Sequence, residues 1–173
     1  MGSGKTTVGR KLANLLGWSF FDTDTQVEQL AGKSIIRIFQ EDGEEAFRQR
    51  EMEALVKLAR NRDAVIATGG GLPTIDAACE FMLNSGFCIW MKASPGLLAE
   101  RLTKGGGTSV RPLLTGLEGE QLENRLKTMC TERAHWYERA HLHIDALNVK
   151  SANNMRELTR FIQAQFRAPS HPA

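Results

Sequence analysis

No apolar run in this 173-residue sequence is long enough to cross a bilayer as a helix. The first residues form a glycine-rich loop and not a charged segment leading into an apolar stretch, so the chain reads as cytoplasmic, with no membrane partner. Cysteine is scarce: Cys79, Cys88 and Cys130 are three in number, widely spaced and without a C-x-x-C pair. That excludes a disulfide framework and a zinc site, and leaves reduced, buried cytosolic thiols. The net charge is only +2, with Lys and Arg spread among Asp and Glu, so the basic face of a nucleic-acid binder is missing. Aromatic residues amount to 7%, which provides no base-stacking platform, and Trp90 and Met91 read as core. His141 and His143 alternate along a short apolar segment without a third ligand at suitable spacing, so they read as polar strand positions and not as a metal pair.

What is present is ordinary globular composition, 42% hydrophobic and 24% charged, in a length suited to one domain. Short apolar segments at 18–21, 64–67, 87–91 and 141–144 alternate with amphipathic segments at 5–16, 25–31, 35–40, 44–60, 75–84, 95–102, 121–139 and 153–166. This alternation predicts an α/β fold with a mainly parallel sheet. Residues 103–119, rich in Gly and turn signals, read as a mobile excursion, and 168–173 as a frayed tail beyond a single domain spanning 1–167.

Gly2-Ser3-Gly4-Lys5-Thr6-Thr7 runs straight into the first amphipathic segment and matches the second half of the phosphate-loop pattern GxxxxGK(S/T). Backbone N–H groups at such a helix start face the β- and γ-phosphates of a nucleotide, Lys5 adds a cation and the Thr6 hydroxyl ligates Mg2+. A loop of this kind follows a buried central strand, and the sequence offers no residues for one. The expectation is a sheet with a gap beside the site, and a native chain that starts upstream of Met1.

Asp22 and Asp24 stand at the end of the apolar segment Phe20-Phe21, where open α/β sheets bind ligands. Alternation along extended backbone sends both to one side, one to hold magnesium and one to accept a proton from an attacking hydroxyl; the competing reading is a helix cap. Extending the apolar stripe of Met52, Leu55 and Ala59 back one turn lands on Arg48, and Arg133 shares a face with Leu122, Leu126, Met129 and Trp136. Two inward guanidiniums suit a small carboxylate, although Arg48 could equally pair with Glu44. Gly69, Gly70 and Gly71 close a buried-type strand and expose backbone to a ligand. Arg111, among hinge-like residues, reads as a lid cation that stabilises charge on a transferring group.

Together these residues resemble the shikimate kinase family of nucleoside-monophosphate-kinase-like proteins, over Met1 to about Phe166. The resemblance implies a three-layer α/β/α fold with a five-stranded parallel sheet of order 2-3-1-4-5, here without strand 1. It implies ATP and shikimate as substrates, Mg2+ as cofactor, a monomer, and a place in aromatic amino-acid biosynthesis. Gly2 to Thr7, Arg111 and Lys150 would then serve the nucleotide, and Thr6 and Asp22 the metal. Asp24, Arg48, Gly69 to Gly71 and Arg133 would hold shikimate, with Lys5, Asp24 and Arg111 acting in catalysis. The substrate region falls at about 25–60 and the lid at about 103–119. The chain departs from the family at His135-Trp136, at Lys104 where an adenine-stacking arginine is common, and in about three extra residues between Arg111 and Arg133. A kinase of another hydroxy acid such as gluconate, and a nucleotide-binding module without turnover, stay open.

Overall fold

The computed structural model describes residues 2–105 and 112–166. The expected phosphate-loop residue Met1, the lid residue Arg111 and the tail at 168–173 lie outside them. Helix α1 (Lys5–Leu16) buries Val8, Leu12 and Ala13 at helical spacing and starts after Gly4, whose φ of 91° is a conformation that favours glycine. Strand β1 (Ser19–Asp22) leads into helices α2 (Thr23–Ala31), α3 (Ile35–Glu41) and α4 (Gly43–Leu58), then strand β2 (Ala64–Ala67) and helix α5 (Asp76–Ser85). Strand β3 (Ile89–Lys92), helices α6 (Pro95–Lys104) and α7 (Gly119–Tyr137), strand β4 (Leu142–Asp145) and helix α8 (Ala152–Phe166) complete the order. None of the described helices is long and apolar enough to cross a membrane.

The strands pair as two separate parallel sheets, β1 with β2 (Ser19 opposite Ala64) and β3 with β4 (Ile89 opposite Leu142). An order 2-3-1-4-5 lacking its middle member gives this arrangement: two pairs on either side of one strand position. The α/β class and the gap are therefore as the sequence predicts.

Four apolar clusters form the core among the described residues, the smallest around Leu55, Leu72 and Ala78. Helices α1 and α8 pack Val8, Leu12, Met155, Leu158 and Ile162 against side chains from strands of both sheets, among them Val65, Ile89 and Ile144. Helices α6 and α7 enclose Leu98, Leu102, Leu122 and Leu126 around Leu114, which is fully buried. Val27, Ile38, Phe47 and Ala54 bind α2, α3 and α4 into a compact unit.

Four expectations need correction. Helix α2 begins at Thr23, earlier than expected, because Asp22 caps it, so Asp24 sits in a first helical turn and not on the extended backbone that alternation assumed. Part of the supposed mobile excursion is anchored: a 3₁₀ turn at Pro112–Leu114 seats Leu114 between α6 and α7. The buried stripe of α4 consists of Phe47, Glu51, Ala54, Leu55 and Leu58, with Met52 and Ala59 only half-buried. Trp90, Met91, Cys88 and Cys130 are likewise half-buried, because all four line a large cavity between the sheets; of the cysteines, Cys79 alone is buried.

Candidate active site

The phosphate loop is a helix start with no side-chain cap, so the first-turn N–H groups of α1 face outward beside Lys5. Arg101 on α6 holds the loop from behind. Its Nη1 donates to the carbonyls of Ser3 (2.9 Å) and Gly2 (3.4 Å), and its Nη2 to the carbonyl of Ala146 (3.2 Å). Lys150 lies close by, its Cε 3.8 Å from the point where a Cβ on Gly4 would stand, with Arg101 Nη1 4.0 Å from the same point. Both cations thus adjoin the loop.

Thr6 and Asp22 come together across sixteen residues: the Thr6 hydroxyl donates to Asp22 Oδ2 at 2.9 Å. Asp22 Oδ1 meanwhile accepts the Asp24 N–H at 3.0 Å. Asp22 therefore caps α2 with one oxygen and accepts the Thr6 hydroxyl with the other. A hydroxyl and a carboxylate oxygen side by side are hard oxygen donors, a pair whose chemistry fits Mg2+.

The glycine triplet forms the opposite wall. Buried Thr23 accepts the Gly69 N–H on its Oγ1 at 2.9 Å, tying the triplet to the start of α2. A Cβ on Gly69 would stand 2.8 Å from Asp24 Oδ1 and would collide with Glu51 Oε1; one on Gly71 would collide with the Arg48 guanidinium. Only glycine lets the backbone approach these groups so closely. Arg133 Nη1 donates to the Gly70 carbonyl at 3.0 Å, and the Tyr137 hydroxyl donates to the same oxygen. Arg48, Arg133, Asp24 and all three glycines thus meet at one place.

Arg48 is held by two carboxylates of its own helix. Its Nη2 donates to Glu44 Oε1 at 2.8 Å, the pairing that the sequence allowed, and its Nη1 to Glu51 Oε2. Glu51, only 1% exposed, is the residue that pattern reading missed. A carboxylate on an apolar stripe looks like an error in the stripe until its guanidinium partner at i−3 is considered. Burial pushes the Glu51 carboxyl up to about 7, with Arg48 opposing and Asp24 reinforcing the shift. Burial also holds the Tyr137 phenol above its ordinary value, against the pull of Arg133. Thr23, Arg101 and Tyr137 were missed too; their partners are backbone groups remote in sequence, which no local pattern encodes.

A glycine-rich loop that opens a helix with uncapped N–H groups, beside a lysine and on a parallel α/β scaffold, defines a phosphate-loop protein. The family model described as Shikimate kinase matches residues 1–163, and the chain belongs to the shikimate kinase family. Relatives include the shikimate kinase of Chlorobaculum parvum, 39% identical over 171 residues that span 96% of this chain and 90% of that protein. That of Moorella thermoacetica is 39% identical over 164 residues, spanning 95% and 91%. Among solved structures, the shikimate kinase from Acinetobacter baumannii in complex with shikimate matches with a TM-score of 0.79 at 34% identity, covering 95% of this chain and 88% of that one. The shikimate kinase of Bacteroides thetaiotaomicron matches with a TM-score of 0.81 at 28% identity, covering 97% and 94%.

Proposed function

We propose that the chain transfers the γ-phosphoryl group of ATP to the 3-hydroxyl of shikimate, giving shikimate 3-phosphate and ADP, as a cytoplasmic monomer that uses Mg2+. The observation that carries this reading is the start of α2. There Asp22 meets Thr6 of the phosphate loop, and Asp24, two residues on, lies against Gly69 of the acceptor pocket. Donor and acceptor sites therefore share one rigid junction, as in-line transfer requires.

In this mechanism Arg48 and Arg133 grip the acceptor's carboxylate with parallel charge-assisted bonds, helped by the backbone at Gly69 to Gly71. Asp24 accepts the proton of the attacking hydroxyl. Gly2 to Thr7 and Lys150 hold the nucleotide, while Lys5 and, from the lid, Arg111 neutralise charge on the transferring group. Thr6 and Asp22 would hold Mg2+, which would supply positive charge to offset that of the phosphates.

The test is ADP release from the folded chain with ATP and Mg2+, offered shikimate, gluconate or a nucleoside monophosphate in turn. Release with shikimate alone is expected. Release with another acceptor and none with shikimate would overturn the substrate assignment, and silence with every acceptor would overturn catalysis.

A further inference from the structure

Four side chains at the end of α7 reach one short stretch of chain. Arg133 Nη1 and the Tyr137 hydroxyl share the Gly70 carbonyl. Between them Trp136, at a point where the chain departs from its family, donates from its indole Nε1 to Asp76 Oδ1 at 2.7 Å. Just beyond, Arg139 pairs with Glu80 of α5. Positions 133, 136 and 137 are three and four apart, so they share one helix face, and their partners all lie within residues 70–76.

The stretch from Gly70 to Asp76 is wound tight, with a 3₁₀ turn at Leu72–Thr74 in its middle. The Thr74 N–H and hydroxyl both donate to the Gly71 carbonyl, at 3.0 and 2.7 Å, and the Ile75 N–H donates to the Leu72 carbonyl at 3.2 Å. Leu72 itself is fully buried. A segment so bonded to itself moves as one piece, so a grip on Asp76 is a grip on the glycine triplet. Asp76 stands in the first turn of α5, where the helix dipole favours an acidic residue, and its bond with the indole is charge-assisted. Of the two ties between α7 and α5 this one carries the argument. Arg139 and Glu80 are 37% and 58% exposed, and an ion pair so exposed is screened by water and salt, whereas Trp136 is half-buried.

We propose that Trp136 and Asp76 form a positioning pair for the acceptor pocket, fixing the end of α7 against α5 so that Arg133 keeps its place over the glycine triplet when an acceptor carboxylate arrives. The inference rests on the acceptor role given to Arg133 above. Arg133 spends one nitrogen on the Gly70 carbonyl, and an acceptor carboxylate competes for the same guanidinium. Tyr137 then keeps the Gly70 carbonyl bonded, and Trp136 keeps the helix from following the guanidinium. Neither Trp136 nor Asp76 is a group that the acceptor or nucleotide site uses, so the pair acts through Arg133.

The test compares Trp136→Phe, which keeps an aromatic ring and removes the donor, with Asp76→Ala, the two combined, and Asp76→Asn, which keeps an acceptor oxygen. Shikimate and ATP binding are measured separately by calorimetry, and hydrogen exchange is followed by NMR at the amides of Leu72, Thr74 and Ile75. Trp136→Phe and Asp76→Ala are each expected to weaken shikimate binding about fivefold and to speed exchange at the three amides by about as much, with ATP binding unchanged. The double variant should be no worse than either single one, because either change already breaks the bond, and Asp76→Asn should stay within about twofold of the parent. Unchanged shikimate affinity, effects that multiply in the double variant, or equal weakening of ATP binding would overturn the proposal. Exchange needs no ligand. A parent that binds ATP but not shikimate would therefore sink the substrate assignment, while unchanged exchange in Trp136→Phe and Asp76→Ala would sink the pair on its own.

Discussion

Replacing Glu51 with glutamine should change how stability depends on pH, and the size can be worked from the site. The carboxyl is 1% exposed and bonded to Arg48, and its pKa lies at about 7 against an ordinary 4.5. The folded chain therefore holds this proton more tightly than the unfolded chain does. Between pH 4.5 and about 7 the native state binds more protons, so this group's contribution to stability is full below 4.5 and is lost as pH rises through 7. At about 1.4 kcal/mol per pH unit the separation amounts to roughly 3 kcal/mol, with no discount for solvent screening at so buried a position. Glutamine has the same shape and no proton to lose, so Glu51→Gln should flatten this part of the profile. Urea unfolding followed by tryptophan emission, for parent and variant at pH 4.5, 6, 7 and 8, measures the difference. With an m-value of about 2 kcal/mol/M, the gap between the two midpoints should move by roughly 1.5 M across the series, the parent losing ground as pH rises. Midpoints that run parallel at every pH would refute the assignment of a protonated, buried Glu51.

Four further substitutions separate the two halves of the site. Lys5→Ala should lower kcat about 10²- to 10³-fold, as expected for losing one preorganised group on the transferring charge, while Arg48→Ala should act mainly through the acceptor, raising its KM about a hundredfold; equal, small effects from both would contradict the division of labour. Gly71→Ala puts a methyl group into the Arg48 guanidinium, so acceptor KM should rise about tenfold with ATP KM unchanged, and a purely nucleotide-side defect would be the wrong outcome. Asp22→Asn keeps a good helix cap, so Tm should move little, yet the Mg2+ concentration for half-maximal rate should rise about tenfold; an unaltered Mg2+ requirement would leave Asp22 as a cap alone.

What the sequence made legible, and what it hid, divides along the range of the interactions involved. Helix α1 and strand β2 were read to the residue because a single periodic apolar pattern, bounded by glycine or polar residues, dictates each. The phosphate loop and the glycine triplet were legible because their conformations admit few residue types. The start of α2 was misplaced because the choice between strand and helix at Thr23 is settled by two remote bonds, Thr6 to Asp22 and Gly69 to Thr23. Glu51 was hidden because a buried carboxylate violates the apolar pattern unless its partners are known. Trp90, Met91 and Val65 were misjudged in the opposite sense: composition makes them core, yet all three line the cavity between the sheets and are half-buried, because burial depends on how the two sheets sit and not on the local pattern.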